Sequence, residues 1–268
     1  MESIVLESPV VQSALSQAHK PGLTKRYNFI PTREAISQFE KNGWSLVSSS
    51  EVKVRKEERK GFQKHMIRMR HEQLKSPEVN DYIYEAVIVN SHDGLSSFRM
   101  FAGVFRLVCS NGMIVSNGTF DLMRILHKSM REINIPDITS NYINRIGLLS
   151  RDIENWKSIS LSHDLQIEYA NRSIKSRWED KNPGVGPLDL IRIKRDADSK
   201  SDLWTVFNRV QEHIMKGGIE YVRNPEEKLS RRWHHTTGVT RPVKSISRFI
   251  GTNQELWDLT SKFYNEIK

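Results

Sequence analysis

Four groupings in this sequence hold side chains suited to acid–base, metal or nucleophilic chemistry: His65 and His71 with Glu72, His163 with Asp164, the pair His234 and His235, and Cys109. A protein metal site needs ligands that one element can bring to a point, such as two histidines a helical turn apart or thiolates and carboxylates beside them. None of the histidine groupings has a His-x-x-x-His spacing, a Cys partner or a carboxylate cluster, so no metal is expected. Cys109 ends an apolar run, where an inert buried thiol is expected in place of a nucleophile. Gly184-x-Gly186 is flanked by prolines and lacks the Lys-Ser/Thr of a phosphate loop, and no cofactor is expected. An enzyme acting on nucleic acid, with His65, His71 and Glu72 as acid, base or ligand, stands behind two non-catalytic readings.

The basic residues are more organised. Between Glu51 and Lys75 nine Lys or Arg face four acids. In the strand read from His65 to Glu72, alternation puts His65, Ile67, Met69 and His71 on one face and Met66, Arg68 and Arg70 on the other. Two arginines on adjacent pleats can grip successive phosphates with forked hydrogen bonds, and Phe62, Trp44 or Tyr82 can supply a ring on which a base stacks. Arg55 and Lys64 belong to the same hairpin, and Arg99 and Arg106 to the long strand beyond it. A second cluster, Arg223, Lys228, Arg231, Arg232, Arg241, Lys244 and Arg248, surrounds Trp233, His234 and His235. The nucleic-acid-binding set is therefore Arg55, Lys64, Arg68, Arg70, Arg99, Arg106, Arg231, Arg232, Trp233, Arg241 and Lys244.

The whole chain agrees with a polyanionic partner, since 41 Lys and Arg against 32 Asp and Glu leave a net charge of +9 in 268 residues. One cysteine fits a reducing compartment, the first residues carry acids where a secretory signal would carry bases, and no apolar run is long enough to span a bilayer. The bacterial cytoplasm, with no membrane partner, is the expected setting.

These residues need elements to position them. Residues 1–22 read as a flexible N-terminal arm ending in Lys20-Pro21-Gly22. Residues 23–171 read as the core domain: a helix capped by Thr32, a period of two from Leu46 to about Val115, then helical spacing through Leu122, Leu126 and Met130 and from Tyr142 to Trp156. His92-Asp93-Gly94 and Ser110-Asn111-Gly112 mark two hairpins, and Phe98 to Val108, apolar on both faces, is the central strand. Residues 172–200 read as a basic loop. Residues 201–268 read as a helical C-terminal subdomain, with one helix capped by Ser201 and another opening on the capping box Thr252 and Glu255. The fold class is α+β: a curved antiparallel sheet of about five strands packed by helices, then a mainly helical part.

Several stretches resemble a known family, the phage- and plasmid-borne proteins built on a domain of unknown function. They are Tyr27-x-Phe29-Ile30-Pro31-Thr32, Gly43-Trp44, His65-Met66-Ile67-Arg68, Phe105-Arg106-Leu107-Val108-Cys109-Ser110-Asn111-Gly112, Leu203 to Glu212 with Gly217-Gly218, and Thr240 to Ile246 before Leu256-Trp257. The resemblance covers about Tyr27 to Phe263 and implies a mobile-element setting. It carries no biochemical role.

The order of elements is similar to that of ring-forming single-strand annealing recombinases. The expected function is a single-stranded DNA-binding, annealing or recombination protein of a phage or plasmid, a homo-oligomer whose basic hairpins line a shared groove. The alternative is a non-catalytic protein that binds host defence or replication proteins through the Trp204 helix and the Trp233 loop.

Overall fold

The computed structural model describes residues 10–74, 82–106, 112–115, 121–125, 134–179, 181–222 and 237–268. The chain is α+β and divides into two compact units, Met1–Gly147 and Leu148–Lys268.

In the first unit α1 (Thr32–Glu40) precedes β1 (Trp44–Glu51), β2 (His65–His71), β3 (Tyr82–Asn90), β4 (Phe98–Arg106), β5 (Gly112–Val115) and β6 (Asp121–Ile125). Among the described residues these strands form one antiparallel sheet in the order β1-β2-β3-β4-β5, with β6 also paired to β4. β3 runs along one edge of β4 from Arg99 to Arg106, while β5 pairs with Ala102–Phe105 and β6 with Phe98–Phe101 on the other. β4 is thus an interior strand, paired on both sides as its two-sided apolar pattern requires, while β3 holds the middle of the β1–β5 order. The alternation in β2 is direct: His65, Ile67, Met69 and His71 are buried, and Met66, Arg68 and Arg70 are half-buried on the opposite face.

The start of α2 (Ile135–Lys157) packs on this unit through Trp44, whose Nε1 donates to Thr139 Oγ1 at 3.0 Å and whose ring meets Tyr142 edge-on at 5.0 Å. Asp93 shapes the β3–β4 turn by accepting from the Leu95 amide at 3.1 Å, and Gly94 takes a φ of 79° that favours glycine.

Several local expectations are corrected. Residues 121–125 are strand, not helix, because β4 offers them a ladder; Leu126 and Met130 lie outside the described residues. Of the arm read as flexible, residues 11–15 are packed: Gln12–Leu15 form a 3-10 turn, Ser13 and Ala14 are fully buried, and the Val11 and Ser13 amides donate to Ser49 and Glu51 on β1. Thr32 starts α1 without capping it, since Pro31 holds the cap position.

In the second unit the end of α2 is followed by α3 (His163–Trp178), α4 (Pro187–Ile191), α5 (Leu203–Lys216), the hairpin β7 (Glu220–Val222) and β8 (Thr237–Val239), and α6 (Ile246–Ile267). Residues 172–178, read as part of a loop, are the last turns of α3. α5 is capped by Asp202, not Ser201, and α6 starts seven residues earlier than its expected capping box, on Ser245. Asp202 prevails because its carboxylate reaches the Thr205 amide at 2.9 Å. α5 forms the core of this unit, with every residue from Leu203 to Met215 buried. Trp156, Trp204, Phe207 and Trp257 interlock there, with Trp156 and Trp257 centred 4.4 Å apart.

Candidate nucleic-acid interface

The β2 arginines project from one sheet face as alternation requires, but they do not form a phosphate ladder. Both converge on Glu85 of β3, a carboxylate with no solvent exposure. Arg68 donates to Oε2 at 2.6 Å and Arg70 to Oε1 at 2.7 Å. Arg68 also lies 3.6 Å above the Phe105 ring, a cation–π contact that fixes its plane. A buried carboxylate must recruit cations to offset its lost hydration, and the two arginines meet that need. The arginines expected to hold successive phosphates are thus tied to one shared carboxylate, and the group keeps one net positive charge.

The other cations of the hairpin separate into two groups. Arg59 is turned inward, with a two-pronged contact to Asp93 at 2.7 and 3.1 Å. Lys64 is half-buried and its pKa is lowered, first by burial and further by the Arg99 charge, with Asp93 opposing. Arg99 spreads over Phe101 at 4.6 Å. Lys53, Arg55 and Lys56, by contrast, stand exposed on the β1–β2 connection and, among the described residues, have no carboxylate partner. Arg106 is the last residue of β4, opposite Tyr82. Of the proposed stacking rings, Trp44 and Tyr82 are buried and only Phe62 is half-exposed.

His65 and His71 are core residues. The His65 Nδ1–H faces the Gln63 carbonyl at 3.0 Å, which leaves Nε2 to accept from the Thr32 hydroxyl at 2.8 Å. Asn90 donates to that hydroxyl at 2.9 Å and to the Ile30 carbonyl at 3.0 Å, and His92 lies against the same oxygen at 3.4 Å. Burial pushes the His65 pKa down to about 4, so the ring is neutral at physiological pH. His71 is held between the Asn42 carbonyl and the Gln73 amide. Both imidazoles are committed to internal partners and closed to solvent, which argues against the acid–base role considered for them. Among the described residues no three His, Cys, Asp or Glu come together as a metal site.

In the second unit a cleft of about 260 Å³ opens where the end of α3 meets the β7–β8 hairpin. Its walls include Trp178, Pro183 and Tyr221, with Arg177 and Arg241 beside them. Arg241 and Lys244 are exposed. Arg231, Arg232 and Trp233, like Cys109, lie outside the described residues. Arg177, Trp178, Pro183 and Tyr221 were not among the sequence-derived site residues, because only the fold brings them to one place.

With the geometry in place, comparison with known proteins gives kinship. Residues 22–257 match the family described as "Domain of unknown function (DUF932)". This chain belongs to the DUF932 family. It is similar to two proteins of Escherichia coli (strain K12), the UPF0380 protein YfjQ and the UPF0380 protein YafZ. Each is 28% identical over 267 residues, covering 97% of this chain and 90% of the relative. No solved structure matches.

Within the described residues, the first of the stretches that carry this DUF932 resemblance is architectural. Tyr27 donates to the Ser91 carbonyl at 3.0 Å, Phe29 packs edge-on against His92, and Thr32 centres the buried hydroxyl–imidazole network. Trp204 is 2% exposed, so the α5 face considered as a partner interface is interior.

Proposed function

We propose that this DUF932 chain binds single-stranded nucleic acid, DNA in preference, and promotes annealing of complementary strands in the bacterial cytoplasm. The observation that carries the reading is the division among the hairpin cations: Arg59, Arg68 and Arg70 are held in ion pairs with Asp93 and Glu85, while Lys53, Arg55 and Lys56 remain exposed and, among the described residues, without a carboxylate partner on the β1–β2 connection. The phosphate contacts thus move from the strand to its connection, with Arg241 and Lys244 adding exposed charge in the second unit. In this reading the sheet is curved, and copies of the chain assemble so that these connections line a common groove. Binding needs no cofactor; pairing of the bases drives annealing.

Fluorescence anisotropy with a labelled oligothymidylate across a salt series tests it. Each phosphate neutralised on a single strand contributes about −0.7 to the slope of log affinity against log salt, so the triple variant Lys53→Ala, Arg55→Ala, Lys56→Ala flattens the slope by about two. Absence of binding at low salt overturns the proposal. A slope unchanged in the triple variant removes the connection from the site. The rate at which two complementary labelled strands pair, with and without protein, reads annealing, and sedimentation of the protein reads assembly.

A further inference from the structure

The cleft in the second unit combines three features. First, Trp178 and Tyr221 are both partly exposed in a small concavity, with the Arg177 guanidinium 4.8 Å from the centre of the Trp178 ring on one of its faces. Second, Tyr221 is locked: it pairs across the hairpin with Gly238 and lies so close that a Cβ there would sit 2.4 Å from its Cζ. Third, the charge beside the rings is positive. The Arg177 guanidinium donates to the carbonyls of Ile214 and Arg241, Arg248 donates to the Arg177 carbonyl at 2.7 Å and feels the Glu255 charge, and among the described residues no carboxylate forms an ion pair with Arg177 or Arg241. The arginine at the back of the cleft is therefore fixed by backbone oxygens, and Arg241 stands at the surface.

Fixed aromatic faces beside guanidinium groups suit a ligand that is flat and apolar at one end and anionic at the other. A nucleotide has that division: the base stacks on the ring and the phosphate takes the arginines. The volume, about 260 Å³, falls just below the usual range for small-molecule sites, about 300–1,000 Å³, and suits one base with its phosphate. A base within a duplex has both faces covered by its neighbours, so only an unpaired one can use these rings.

We propose that the Trp178–Tyr221 cleft is a subsite for one unpaired nucleotide of a bound strand, with the base on the aromatic walls and the phosphate toward Arg241 and Arg177. This rests on the nucleic-acid reading above and adds selection of unpaired strand through a site distant in sequence from the β1–β2 connection.

The test compares the full chain with its Tyr221→Leu, Trp178→Leu and Arg241→Ala variants, each checked by circular dichroism melting, on three probes: oligothymidylate, an abasic strand of equal length, and a blunt duplex. The wild type should prefer oligothymidylate to the abasic strand. Loss of either ring should weaken oligothymidylate binding roughly tenfold or more while leaving the salt slope and the abasic affinity in place. Arg241→Ala, an exposed position that folding tolerates, should reduce the salt slope by about 0.7. Equal affinity of wild type for the thymidylate and abasic strands, or undiminished thymidylate binding by folded ring variants, overturns the subsite and leaves the general binding proposal standing. Failure of the wild type to bind any strand overturns both.

Discussion

Arg70 donates to Glu85 Oε1 at 2.7 Å while Arg68 takes the other oxygen of the same fully buried carboxylate. One acid on β3 thus decides the direction of two arginines on β2. Removing a partner from a buried pair typically costs about 3–5 kcal/mol, and the partial exposure of both arginines reduces this. Glu85→Gln is expected to destabilise the protein by about 2–3 kcal/mol in urea denaturation. Arg70→Ala should cost only about 1 kcal/mol, because Arg68 still satisfies the carboxylate. A Glu85→Gln variant as stable as the wild type would remove the triad from the fold's essential contacts.

The hydroxyl–imidazole network predicts a pH dependence with a definite sign. His65 has a pKa pushed down to about 4 by burial, against an ordinary value of about 6.5 in the unfolded chain. Between these values the unfolded chain binds the proton and the folded one does not. The network's stabilisation is therefore complete above about pH 6.5 and declines as pH falls toward 4, by about 3 kcal/mol over the window. Urea midpoints for wild type and His65→Gln should diverge at neutral pH and approach one another near pH 4.5. Parallel profiles for the two proteins would show that His65 does not titrate as its environment requires.

How much of this was legible in the sequence follows from the range of each interaction. The alternation in β2, the Asp93-Gly94 turn and the interior position of β4 depend on neighbours in sequence, and residue type alone reveals them. The pairing of Arg68 with Glu85 crosses two strands and needs the register Arg68↔Val87 to be known. A signal was present nonetheless: Glu85 interrupts an apolar run, Tyr82 to Val89, and a carboxylate in a buried strand must find cations. β6 was misread because Leu122, Leu126 and Met130 have helical spacing, whereas the ladder that β4 offers is a long-range property. The cleft was invisible for the same reason, since Trp178 and Tyr221 belong to different elements. The basic composition raises the expectation of a polyanionic partner and says nothing of where its charges stand.

Gly103 tests the packing beneath the arginines. It lies opposite Glu85 in the β3–β4 ladder, and a Cβ there would stand 2.5 Å from Phe105 Cε2 and 3.1 Å from the Glu85 carbonyl. The Phe105 ring occupies that space, and Arg68 rests on it. Gly103→Ala forces the ring outward and disturbs the cation–π contact. Overpacking of this kind costs about 1–3 kcal/mol, and the loss should be recovered in part by adding Phe105→Leu, which gives up the ring. A Gly103→Ala variant of wild-type stability would mean that the ring relocates without consequence.

Trp204 offers the sharpest separation between core and interface readings of α5. Its ring stacks on Phe207 at 15° and 5.6 Å, and Phe207 in turn meets Trp257 edge-on. A tryptophan used as a partner anchor would be exposed in the isolated chain, and truncating it would weaken association while leaving folding intact. Here truncation opens a cavity beside Trp156 and Phe207. Trp204→Ala should therefore destabilise by about 3–5 kcal/mol, with Trp204→Phe intermediate because it retains part of the ring. Intrinsic fluorescence adds a second readout: the burial of Trp156, Trp204 and Trp257 predicts that acrylamide quenches their emission weakly until the unit unfolds. Full stability of Trp204→Ala would overturn this packing, since a residue with 2% exposure cannot lose its ring without an energetic consequence unless the helix presents another face.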